Sequence, residues 1–150
     1  MLVFRIVLTK YPDGLRASGR AARWNTNDTE MIYCSSSQSL ACLENVVHRS
    51  QVGLSNHFKV LIIEIPDELN CIEIGKIQLS KKWTEFENMY LTQAIGDNWI
   101  KEKKSALLKV PSSIVQSEYN YLLNPNHANF KQIKLKVIEP FVFDDRIKRS

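Results

Sequence analysis

The chain has 150 residues, 44% of them hydrophobic and 24% charged, with 20 Lys and Arg against 16 Asp and Glu for a formal charge of +4. These proportions are ordinary for a globular protein and exclude disordered, collagen-like and coiled-coil chains. At this length a chain buries about 70% of the surface its unfolded form exposes, so it needs no disulfide or structural metal to hold a core.

The N-terminal MLVFRIVLTKY is apolar but broken by Arg5 and Lys10, so it reads as a strand, and the sequence predicts neither a signal peptide nor a membrane span. In that strand Phe4, Ile6 and Leu8 alternate with Val3, Arg5 and Val7. Residues 9–28, with Pro12, Gly14 and Gly19, read as a long polar loop. A second strand over Glu30 to Cys34 leads into a helix running to about Arg49, for which Ser35 and Gln38 offer capping-box spacing. FKVLIIEIP, from Phe58 to Pro66, is a near-continuous apolar run stopped by proline, the pattern of a strand buried on both faces. A less regular stretch follows. The segment from Asn88 to Lys104 is helical around Leu91, Ile95 and Ile100, weakened by Gly96, and ends in bases that suit a helix C-terminus. A strand from Ala106 to Val110 stops at Pro111, and Ile133, Leu135 and Val137 alternate with Lys134 and Lys136 as in a strand with one wet face. Helices neither dominate nor alternate regularly with strands. The expected fold class is therefore α+β, a single domain over 1–150 with a mixed or antiparallel sheet core and flanking helices.

Common catalytic motifs fail on their key residues. GLRASG, from Gly14 to Gly19, has the glycine spacing of a phosphate loop, but Arg20 and Ala21 stand where Lys and Ser/Thr are required. Ser112 and Ser113 lie in VPSSI without the glycines of a nucleophile elbow. His48, His57 and His127 are scattered and lack metal-ligand spacing, so each reads as a surface or loop residue and no metal site is expected. Cys34, Cys42 and Cys71 form no CxxC pair, which argues against a disulfide framework and predicts a reducing, cytoplasmic setting. The basic clusters KEKK (Lys101 to Lys104) and RIKR (Arg146 to Arg149) raise a nucleic-acid-binding module. The net charge is modest, however, and no RRM, zinc-finger or helix-turn-helix signature accompanies them, so direct nucleic-acid binding is not expected.

Three positions carry more chemistry. Arg5, within an apolar strand, needs either an anion or a wet sheet face, and the residues leave both open. Glu44 lies at the edge of an apolar helical stripe of Leu40, Leu43 and Val47, overlooking a semi-buried region. Tyr33 ends the strand feeding that helix, so Tyr33 and Glu44 can border one pocket.

Read in order, FRI at Phe4 to Ile6, ARWN at Ala22 to Asn25, IYCSSSQSLACLENVVH at Ile32 to His48, TQAIGDNWI at Thr92 to Ile100, LKVPSS at Leu108 to Ser113, EYNYLLNPNH at Glu118 to His127 and EPFVFDDR at Glu139 to Arg146 resemble the RES domain family. The chain departs from the family at Ala22, and at Thr26, Asn27 and Asp28, where the family has glycine; Asn and Asp accept turn conformations, so the turn is expected to survive. The resemblance implies a fold similar to ADP-ribosyltransferases and a toxin of a bacterial type II toxin–antitoxin system that degrades NAD+. The bond cut would be the nicotinamide–ribose bond, by a glycohydrolase or a phosphorylase. It further implies Glu44, Arg23 and Ser112 as catalytic residues, with Ser113 the weaker match for the serine, and Arg5, Arg23 and Tyr33 as NAD+-binding residues. The implied partner is a helix-turn-helix antitoxin covering the pocket. Ser112 would be a positioning donor and not a nucleophile, because no histidine lies in a recognisable relation to it. A mono-ADP-ribosyltransferase acting on a protein is the alternative; the acceptor (water, phosphate or protein) and the choice between monomer and homodimer stay open.

Overall fold

The structure, a computed structural model, describes residues 1–147; of the basic tail, Lys148 and Arg149 lie outside the described residues. The elements run β1 (Leu2–Leu8), β2 (Ile32–Ser35), α1 (Gln38–His48), α2 (Gln51–Leu54), β3 (Phe58–Glu64), β4 (Cys71–Glu73), α3 (Met89–Glu102), β5 (Leu107–Pro111), β6 (Tyr119–Leu123) and β7 (Lys134–Phe141). Short 3-10 helices occupy Lys76–Gln78, Phe86–Asn88 and Ala128–Gln132. The strands form one seven-stranded sheet in the order β4-β5-β6-β2-β1-β3-β7. Only β4 and β5 pair in parallel, so the sheet is mixed, with helices packed on it, as the α+β reading expects.

Strand alternation assigns the two faces. On one face Val3, Cys34, Leu61, Ile63, Leu107 and Leu123 form a core, with Leu15, Ala17 and Phe130 packed over it. The other face is divided. Ile6, Phe58 and Val60 pack under α1 and α2 through Ala41 and Leu54, whereas Leu108, Val110 and Leu122 pack under α3 and the Trp24, Trp83 and Trp99 indoles. Each buried aliphatic side chain contributes about 1.5–3 kcal/mol relative to exposure, so both halves are firmly held. Between them lies a seam. β1 pairs with β3 along its whole length but meets β2 only at Phe4 and Ser35, so the sheet is notched beside that seam.

Several elements differ from expectation for identifiable reasons. Ser37, not Ser35, caps α1: its hydroxyl accepts the Leu40 amide at 3.0 Å, while Ser35 is the last residue of β2, opposite both Phe4 and Asn120. The buried side of α1 is Leu40 and Ala41, with Val46 partly covered, and Val47 is 56% exposed. Glu44 still borders the buried face, one turn from Leu40. β4 and β6 carry no clear sequence pattern, because β4 is a three-residue edge strand and β6 opens on Tyr119, Asn120 and Tyr121. The alternation predicted for β7 breaks at a bulge, where Ile62 faces Val137 and Ile63 faces Leu135, leaving Val137 exposed. α3 runs unbroken through Gly96. The long loop 9–28 is tied to the sheet by Lys59, whose buried ammonium meets Asp13 at 2.7 Å and the Tyr11 carbonyl oxygen at 2.6 Å. Among the described residues no helix is long and apolar enough to cross a membrane.

Candidate active site

Glu44 stands on α1 over the seam, and its hydrogen-bond partners come from β6 and the residue just beyond β5. The Ser112 hydroxyl, just beyond β5, donates to Oε1 at 3.0 Å. The Asn120 amide of β6 donates to the same oxygen at 2.7 Å, and its own carbonyl oxygen accepts the Ser35 hydroxyl of β2 at 2.8 Å. These side chains point to one face because Ser35 and Asn120 are register partners and β5 pairs alongside β6. Oε2 is left facing His48, one helical turn on, at 3.6 Å, an electrostatic neighbour too distant for a hydrogen bond. One oxygen of the carboxylate is thus saturated and the other is open.

Burial alone would raise the Glu44 pKa, but His48, Asn120 and Ser112 together outweigh it and hold the group below the usual carboxylate value. Glu44 is therefore ionised at neutral and mildly acidic pH. The stability this contributes is fully present above the unfolded-state pKa, about 4.3, and is lost as pH falls through the lower folded-state value. Urea unfolding of the wild type and of Glu44→Gln, which cannot titrate there, is expected to show the wild type losing stability relative to the variant below about pH 4.3. A difference that stays constant to pH 3 would contradict this assignment.

Ser112 is fully buried, and its hydroxyl oxygen also accepts the Ile114 and Val115 amides at 3.0 and 3.2 Å. That commitment fits a positioning donor. The hydroxyl that meets Glu44 belongs to Ser112 rather than Ser113.

Arg23 is half-buried on the loop before β2, and its Nη1 donates to the Trp83 carbonyl oxygen at 3.1 Å. Burial lowers its pKa, and the nearby Glu44 carboxylate and Tyr33 phenol oppose that shift. Tyr33 holds the same loop: its hydroxyl accepts the Trp24 amide at 3.0 Å and donates to Asn25 Oδ1. Burial raises the Tyr33 pKa, so the phenol stays protonated and keeps donating. Asn25 is itself buried and donates to the carbonyls of Arg20, Thr26 and Thr29. At the loop's turn Asp28 adopts a φ of 68°, in the left-handed region that Asp tolerates better than most residues.

Arg5 stands apart from this group. By alternation it shares a face with Val3 and Val7, opposite the face that carries Phe4 and Ile6. Its Nη1 crosses the notch to the Tyr33 carbonyl oxygen at 2.8 Å, and burial lowers its pKa. Its partner here is a backbone carbonyl rather than a carboxylate. The structure thus gathers Arg23, Tyr33, Glu44 and Ser112 around one seam and sets Arg5 behind it. Sequence reasoning missed Asn120 and His48 as neighbours of Glu44, and Ser35 as the partner of Asn120. Asn120 had a signal, a polar residue flanked by tyrosines in a block that resembles the family; His48 had only its i+4 spacing from Glu44. Among the described residues no group of three or more His, Cys, Asp or Glu is placed to hold a metal ion.

Comparison with known proteins places this seam in context. The RES domain family matches residues 3–144. A Sphingobium protein named Prs ADP-ribosylating toxin is 36% identical over 139 residues, covering 91% of this chain and 86% of its own. A Yersinia enterocolitica protein named Toxin Res is 35% identical over 154 residues, covering 99% of this chain and 100% of its own. Among solved structures, a chain from the M. tuberculosis MbcT–MbcA toxin–antitoxin complex superposes with a TM-score of 0.77 over 94% of this chain and 84% of that one; at 15% identity the likeness is one of fold. With the family matched over nearly its full length and full-length relatives above 30% identity, the chain belongs to the RES domain family.

Proposed function

We propose that the chain is an NAD+-consuming toxin that cleaves the nicotinamide–ribose bond, with Glu44 as the central catalytic carboxylate. The observation that carries the reading is the asymmetry of Glu44, an ionised group with one oxygen fixed by Ser112 and Asn120 and the other open, with the Arg23 cation nearby. The name of the 36% identical relative supports a dinucleotide substrate, since ADP-ribosylation draws its ADP-ribose from NAD+.

The proposed chemistry is simple in its balance. The C1′–N bond breaks, and its electron pair passes to the pyridinium nitrogen, so nicotinamide leaves neutral. Positive charge develops on the ribose, and an acceptor oxygen then bonds to C1′ and loses its proton. A fixed carboxylate stabilises that charge and can hold a ribose hydroxyl, the role proposed for Oε2 of Glu44. Ser112 and Asn120 keep the carboxylate from turning. Arg23 is proposed to hold the pyrophosphate, for which a guanidinium fork is well shaped. Arg5, set behind the seam, enters the proposal as the residue that fixes the Tyr33 backbone.

Incubating purified protein with adenylate-labelled NAD+, with and without inorganic phosphate, tests the reading. Nicotinamide release is expected in at least one condition, and intact NAD+ in both at high protein concentration would reject it. The label then separates the acceptors. Free ADP-ribose marks water, a phosphorylated ADP-ribose marks phosphate, and label retained on a macromolecule in a parallel incubation with added cell protein marks the protein-modifying reading that the relative's name favours.

A further inference from the structure

We propose that one face of α3, made by Thr92, Gln93, Gly96 and Asp97, is the template that sets the position of Arg23, so that these four are positioning residues for the site. The proposal rests on the NAD+ reading for its consequence and on geometry for its content. Thr92 donates from its hydroxyl to the Arg23 carbonyl oxygen at 2.5 Å. Gln93 donates from its side-chain amide to the Ala22 carbonyl oxygen at 3.0 Å. Asp97 accepts from the Thr26 amide at 3.0 Å and from the Thr26 hydroxyl at 2.6 Å. Between these contacts Gly96 lets the helix backbone approach the Trp24 carbonyl so closely that no Cβ fits: a methyl there would lie 2.7 Å from the Trp24 carbonyl carbon and closer still to its oxygen.

The spacing explains why one helix can do this. Positions 92, 93, 96 and 97 fall on one side of an α-helix, and they meet four of the five consecutive loop residues 22–26. None of the four needs to touch substrate. They fix the backbone from which Arg23 projects, and the Trp83 carbonyl then fixes the guanidinium. Because Thr92 is fully buried, removing its hydroxyl leaves the Arg23 carbonyl without that donor, and the loop is expected to shift.

A double-mutant cycle tests this on the intact chain, with the NAD+ dissociation constant as readout and folding checked in every variant. Thr92→Val is expected to weaken NAD+ binding about tenfold, roughly the worth of one hydrogen bond to a well-placed group. Thr92→Ser is expected to restore it. In an Arg23→Ala background the same Thr92→Val change should alter binding less than about twofold, because its effect acts through Arg23. An equal loss in both backgrounds, or no loss from Thr92→Val, overturns the proposal. Hydrogen exchange supplies a readout that needs no NAD+. Asp97→Ala is expected to speed exchange of the Thr26 amide while leaving the β3 amides protected, and unchanged exchange at Thr26 also overturns the proposal. If the wild type fails to bind NAD+, the proposed function fails, and the exchange result alone decides whether α3 holds the loop.

Discussion

Replacing Glu44 with glutamine is expected to lower NAD+ cleavage on the order of 10³-fold, the scale on which removal of one preorganised electrostatic group acts. The variant should fold. A glutamine side-chain oxygen can accept from Ser112 and Asn120 just as Oε1 does, so no buried donor is stranded, and the change falls on the open side that faces His48. What is lost is the negative charge. Nicotinamide release at matched folded concentration, with circular dichroism and unfolding midpoint as controls, measures both parts. A variant that retains more than about a tenth of wild-type activity would remove Glu44 from its assigned role.

The largest expected effect on stability comes from Gly96→Ala. Helix propensity alone would favour alanine by about 1 kcal/mol at an interior position. Packing reverses the sign. The added methyl would overlap the Trp24 carbonyl, whose residue cannot retreat because Tyr33 holds its amide while Thr92 holds Arg23 and Asp97 holds Thr26. The Met31 methyl, 3.1 Å from the same point, can swing away; the carbonyl cannot. α3 must therefore move off the loop, giving up hydrogen bonds and part of the Trp24, Trp83 and Trp99 core. A loss of about 3–5 kcal/mol is expected, a large share of the roughly 5–15 kcal/mol that holds a typical domain together. Urea unfolding decides it: an equal or higher midpoint for Gly96→Ala would contradict the close approach of helix and loop.

Gly96 also marks where the sequence stops being informative. From the sequence it reads as a weak point in a helix, because the carbonyl that requires it belongs to Trp24, far away in the chain. β1 and β3 were legible because their apolar patterns match a two-residue period or a fully buried strand. β6 was not, since Asn120 uses a strand position for a polar contact to Glu44 and so removes the pattern that would reveal the strand. The candidate site behaves likewise. Glu44 at a helix edge and Tyr33 at a strand end could be placed beside one pocket from local pattern. Their association with Arg23 and Ser112 came only from the family resemblance, because it depends on which strands pair. The register of Ser35 with Asn120 is what brings β2 and β6 together under α1. Arg5 shows the limit from the other side: the sequence left open whether it meets an anion or a wet sheet face, and its partner is a carbonyl across a notch that no local pattern encodes.

The reading joins a chemical group to a place, so the most direct measurement is the crystal structure of Glu44→Gln bound to NAD+. The expected result puts a hydroxyl of the nicotinamide ribose within hydrogen-bond distance of residue 44 and the pyrophosphate against the Arg23 guanidinium, in the seam between α1 and α3. A dinucleotide bound elsewhere, or none bound at saturating concentration in a folded variant, would contradict it.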